Sequence, residues 1–265
     1  MKIPHSLVLS FALLFSCLLI PDSVAAQNKS DNDILNEWAN PALKIDGNLN
    51  DWNDSLKHYN ENTGFSFNIS NNKDYLYLAI KSQDKKNLSR ILARGISFSV
   101  NTEGKKKPGQ TVVFPVFDRG SQLPKPANVK TEGQVQKNQE QILSKIKQIK
   151  VYGFADVLDG AISLQNTYGI SAAANFDAQD NMVIEIAIPF RLLKISNIKD
   201  PISCLIEING IKPPKSTYNP DMYPRRNRRY GGYDDRNYDY ERRPTIDKQL
   251  LSTGFWIKST LAKKP

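Results

Sequence analysis

The chain has 265 residues, with 36 Lys and Arg against 27 Asp and Glu, two histidines and two cysteines. So small a stock of His and Cys excludes an assembled zinc site of the His/Cys type. The formal charge of +9 is mostly scattered lysine, which reads as a solvated surface and gives no stripe for nucleic acid.

Lys2 precedes an apolar run over residues 7–20, and Val24-Ala25-Ala26 stands before Gln27. This is the pattern of a secretory signal over residues 1–26. The run is shorter than the roughly 18 residues of a membrane span, so no transmembrane segment is expected after its removal. The protein is then expected outside the cell or in the periplasm and envelope. A lipid on Cys17 is the minor reading, because Leu18-Leu19-Ile20 carries the apolar run past the cysteine. Residues 27–265 form the predicted domain and keep one cysteine, Cys204. It lies in an apolar strand-like run and reads as a small buried hydrophobe.

Strand signals then recur along the chain. Residues 64–70 alternate apolar and polar, 74–81 follow after Asn71-Asn72, and 96–100 alternate again. Residues 111–117, 149–154, 169–176, 182–189, 203–211 and 254–259 complete the set, with turn clusters such as Asp177-Ala178-Gln179-Asp180 between them. So many strands with so little helix predict an all-β fold, an antiparallel β-sandwich of jelly-roll or immunoglobulin-like type.

One helix is predicted within residues 130–148. Val135, Ile142, Ile146 and Ile149 fall on one face, and that stripe should pack on the sandwich. A shorter helical turn is predicted at residues 88–93. Residues 212–244 differ in kind: Pro213-Pro214, Pro220, Pro224 and Gly231-Gly232 break any regular element. A loop beyond about 15 residues is usually functional or disordered.

That loop holds seven of the eleven arginines, among them Arg225, Arg226, Arg228 and Arg229, together with Tyr230 and Tyr233. Arginine with tyrosine could grip phosphate and stack on bases. Asp221, Asp234, Asp235, Asp239 and Glu241 dilute the charge, so no nucleic-acid partner is expected. The loop reads first as a solvated, partly disordered low-complexity insertion, and otherwise as a contact for acidic glycans or an envelope protein. His58 lies in a polar run and reads as a surface residue, with no Gly-x-Ser-x-Gly elbow to make it a catalytic base. Glu185, Glu207 and Asp156 read as strand or turn residues rather than as a glycosidase pair. No catalytic residue, metal ligand or cofactor is assigned. A calcium site of loop carboxylates stays open, without EF-hand spacing.

Four patches carry a family likeness. Ile45-Asp46-Gly47 through Trp52 resembles the "IDG…W" opening of family 9 carbohydrate-binding modules and their DOMON-like relatives. Residues 74–80 resemble a strand after a short hairpin in those domains. Glu185-Ile186-Ala187-Ile188-Pro189-Phe190 resembles their "E-x-A-I-P" strand end, and residues 254–258 their closing strand. The resemblance implies a β-sandwich that binds carbohydrate without cleaving it, with O-glycosyl hydrolase activity only as an associated function. The IDG patch is expected to be a strand ending in a glycine turn, with Trp52 folded back as an apolar plug. Sugar-binding members clamp a saccharide between two tryptophans on mid-domain loops, where this chain has none. Tyr152, Tyr168, Tyr218 and Tyr223 are the expected substitutes, since stacking needs only an aromatic face. Haem, held through methionine in some DOMON-like relatives, is the weaker alternative, with Met182 and Met222 as the available methionines. The alternative of another class is an envelope interaction module acting through the Arg/Tyr loop.

Overall fold

A computed structural model describes residues 33–52, 56–118, 120, 132–195, 200–211 and 250–265. The alternating segments form β1 (Asp33–Leu35), β2 (Glu37–Trp38), β3 (His58–Asn60), β4 (Phe65–Asn71), β5 (Tyr75–Ser82), β6 (Ile96–Asn101) and β7 (Gln110–Val116). They continue as β8 (Gln148–Tyr152), β9 (Gly160–Ser163), β10 (Ser171–Phe176), β11 (Met182–Pro189), β12 (Ile202–Ile208) and β13 (Thr253–Thr260). Helices α1 (Lys85–Arg94), α2 (Glu132–Ser144) and α3 (Phe190–Leu193) lie between strands.

One sheet has the order β1-β13-β12-β6-β7-β8-β9, and the other β10-β11-β5-β4-β2 with β3 also paired to β4. The all-β sandwich is therefore the observed fold. Pairing is antiparallel except for β1 on β13 and β2 on β4, which are parallel. Those two strands are three and two residues long, too short for alternation to announce them.

The inner faces supply the core. Leu76, Leu78, Ile80, Ile184, Ile186 and Ile188 of the second sheet face Phe98, Val100, Val112, Ile206 and Ile257 of the first, all at most 2 % exposed. Phe67 on β4 meets Phe255 on β13, ring centroids 5.1 Å apart, an aromatic contact that ties the sheets together. Pro115, which has no N–H to give to a ladder, sits where the β7–β8 register shifts between Val113 and Val116.

The amphipathic helix is present but shorter than residues 130–148. Ile142 and Ile146 enter the core as expected, while Ile149 belongs to β8. Helix α1 runs the full Lys85–Arg94, capped by Asp84, whose side chain accepts from Lys86 N. Arg90 Nη2 donates to the Leu251 carbonyl and the Thr253 hydroxyl, 2.5 and 3.1 Å away, fixing the entry to β13. His58 is half-buried on β3 with its ring 5.4 Å from Phe67, not free on the surface, and burial lowers its pKa. Cys204 is buried in the core, which pushes its thiol up to about 12 and leaves it unreactive. Residues 1–26 lie outside the described residues. Among the latter, no helix is long and apolar enough to cross a membrane.

Candidate functional site

The outer face of the second sheet is not left to solvent. Residues 39–52 cross it as a strap, and Ala39 and Trp52 pack there against Tyr77, Ala79 and Ala187. This covering explains why every residue of β11 is buried, on both faces. A carboxylate in such a strand must find donors, and Glu185 finds three. Trp52 Nε1 donates to its Oε1 at 2.6 Å, while Gly47 N and Asp46 N donate to its Oε2 at 2.6 and 2.9 Å. Burial pushes the Glu185 carboxyl above its ordinary range, and the hydrogen bonds from Trp52, Gly47 and Asp46 act in the opposite direction.

The strap explains the IDG…W pattern residue by residue. Gly47 has φ +83°, and a Cβ there would stand 2.8 Å from backbone and side-chain atoms of Ala174 and Asn175 on β10. Only glycine permits both the turn and the approach. Ile45 packs on the apolar patch, and a 3-10 turn at Asn50–Trp52 drives the indole inward to 5 % exposure. The segment before Gly47 is irregular backbone rather than the expected strand. The plug role of Trp52 is as expected.

On one side of the strap, towards β2 and β4, lies a cavity of about 360 Å³ lined by Trp38, Trp52, Glu37, Asn40, Asp51 and Ser70 among others. Trp38 is half-buried at the end of β2, where Ala39 N donates to the Asn71 carbonyl at 2.9 Å. Glu37 pairs with Lys57, and Asp51 Oδ2 accepts from Lys44 N at 2.8 Å. The fold thus places two tryptophans, two carboxylates, an amide and a hydroxyl around one space. An exposed indole face can take the C–H face of a sugar, and a carboxylate can accept from hydroxyls.

On the other side, towards β10, a second cavity of about 380 Å³ is lined by Gly47, Asn48, Asn50, Lys81, Phe176 and Gln179 among others. Its rim is the β10–β11 turn. There Asp177 accepts from Gln179 N, Asn181 N and Asn181 Nδ2 at 2.9 to 3.0 Å.

Of the residues expected to bind ligand, Tyr152 and Tyr168 are among those described. Tyr152 ends β8 and is 40 % exposed. Tyr168 packs half-buried on the main core, and its carbonyl accepts from Arg191 Nη2. Neither is among the residues that line these two cavities. Tyr218, Tyr223, Arg225, Arg226, Arg228, Arg229, Tyr230 and Tyr233 lie outside the described residues, as does Met222. Met182 is in the sandwich core at 2 % exposure. Glu207 lies on β12, and Asp156 pairs with Lys194 at 3.7 Å. Among the described residues, no three His, Cys, Asp or Glu side chains gather into a metal-ligating group.

No family model and no curated protein matches the chain. A solved structure does resemble it. That structure is a family 9 carbohydrate-binding module from Caldicellulosiruptor kristjanssonii in complex with glucose, with TM-score 0.34 and 10 % identity. The likeness covers 88 % of this chain and 98 % of that one.

Proposed function

We propose that the protein binds neutral carbohydrate, without cleaving it, in the cavity between Trp38 and Trp52. The observation that carries this reading is the lining of that cavity: two indoles with Glu37, Asp51, Asn40 and Ser70 around them. Its volume of about 360 Å³ falls at the lower end of small-molecule sites, about 300–1,000 Å³. Such a space suits the end of a saccharide better than the middle of a long chain. Carboxylates at the rim favour a neutral sugar, whose hydroxyls they accept from, over an acidic one, which they repel. With the secretory pattern of residues 1–26, the reading is of an exported binding module at or beyond the cell envelope.

Isothermal titration of residues 27–265 against neutral oligosaccharides tests it. Saturable heat is expected, and Trp38→Ala should weaken binding by about 1.5–3 kcal/mol, roughly ten- to a hundredfold in Kd. The same mixtures should release no new reducing ends. Cleavage would contradict the non-catalytic reading. Silence across the panel would favour an interaction module that works through residues 212–244.

A further inference from the structure

The cavity between Trp38 and Trp52 has one polar side chain at depth. Phe65, Phe67 and Ile69 of β4 point into the sandwich core, so alternation turns Ser66, Asn68 and Ser70 to the other face, under the strap. Of the polar residues that line this cavity, Asn40 and Asp51 are exposed and Glu37 is half-buried, whereas Ser70 is only 3 % exposed. Its neighbours in the ladder are Glu37 on β2 and Tyr77 on β5, and both have other partners. Glu37 pairs with Lys57, and the Tyr77 hydroxyl accepts from Asn72 Nδ2 at 2.9 Å. Among the described residues, the Ser70 hydroxyl makes no hydrogen bond. A hydroxyl withdrawn from bulk water needs a partner, and this one has the cavity before it.

A serine hydroxyl both donates and accepts, and a sugar hydroxyl does the same, so one contact serves both groups. A ligand carboxylate would only accept there, and Glu37 and Asp51 would repel it. Ala39 and Trp52, the other buried residues of the lining, offer a sugar hydroxyl no alternative side-chain partner. The first is apolar, and the second has its indole N–H on Glu185. We propose that Ser70 is the specificity-determining residue of this cavity. Its ligand is then a saccharide whose inserted terminal sugar carries a free hydroxyl at that point, neither deoxygenated nor O-substituted. The inference rests on the carbohydrate reading of the cavity and names the group that selects among sugars. A site built to hydrogen-bond a hydroxyl rejects the analogue that lacks it, because its own polar group is left unpaired.

Titration with the methyl glycosides of glucose, galactose, mannose and xylose, and with the monodeoxy analogues of those that bind, tests the proposal as a double-mutant cycle. On the wild type, one deoxy position should weaken binding about tenfold. Ser70→Ala should weaken the parent glycoside by a similar factor while thermal unfolding stays cooperative, and should no longer distinguish the parent from that deoxy analogue. Ser70→Thr, which keeps the hydroxyl, should retain the distinction. Trp38→Ala should weaken parent and analogue alike, leaving their ratio unchanged. Parent binding that survives Ser70→Ala, or a Ser70→Ala protein that still rejects the same deoxy analogue, would overturn the assignment. Binding of neutral oligosaccharides with no binding of any single glycoside would place the contacts beyond one terminal sugar and overturn this inference alone. Silence to both would remove the carbohydrate reading with it.

Discussion

Glu185 is the residue on which the outer layer depends. It is fully buried and receives three N–H donors from residues 133 to 139 positions away. Its removal leaves an indole and two backbone donors unsatisfied. Glu185→Ala should cost about 3–5 kcal/mol in urea unfolding and expose Trp52 to a fluorescence quencher. Retained stability and a protected Trp52 would count against the latch. Because burial raises its pKa above the ordinary 4.5, the native state binds that proton more tightly than the unfolded chain. That contribution is complete below pH 4.5 and is lost as pH rises through the folded value. Glu185→Gln does not titrate, and the other carboxylates cancel in the comparison. The stability of the wild type relative to this variant should therefore rise as pH falls towards 4.5.

At the scale of elements, the longer strands were legible from alternation or from a continuous apolar run. The run Met182-Val183-Ile184-Glu185-Ile186-Ala187-Ile188-Pro189 matches β11 end to end. What alternation could not show was β1, β2 and β3, each two or three residues long. The strap also escaped it, being irregular backbone whose register comes from hydrogen bonds far along the chain. The lone acid in an otherwise apolar strand was the available signal that something crosses that face. The Trp38/Trp52 cavity was hidden for a related reason. Both tryptophans sit near the start of the chain, and the pairing of β2 with β4 brings Trp38 to the cavity that Trp52 also lines. The stem of residues 212–249 is also visible: Ile211 N donates to the Leu250 carbonyl at 2.6 Å, and Gly210 N to the Ser252 hydroxyl at 3.0 Å. With its ends held together, the segment is not needed to close the sandwich. Replacing residues 212–249 by a two-residue turn should leave the melting temperature equal or slightly higher, since loop-closure entropy grows with length. A loss of cooperative melting would show that the segment belongs to the core.

For the whole molecule, one sheet face is covered by a strap pinned at Glu185, and a cavity opens on each side. Tryptophans and carboxylates line one, and a lysine, a carboxylate and amides line the other. The strap contributes to both walls, so the latch that seats Trp52 also shapes both cavities. The chain's three tryptophans report on this arrangement separately. Trp38 lines the first cavity with its indole nitrogen in no protein hydrogen bond among the described residues, Trp52 has its indole N–H on Glu185, and Trp256 lies on β13 of the other sheet. The most direct test is therefore the indole N–H spectrum of 15N-labelled residues 27–265 titrated with a neutral oligosaccharide. The Trp38 signal, assigned by its loss in Trp38→Phe, should shift progressively and saturate, with a smaller change at Trp52 and none at Trp256. A saturable shift confined to Trp256, or binding that leaves Trp38 unmoved, would contradict a sugar held between Trp38 and Trp52.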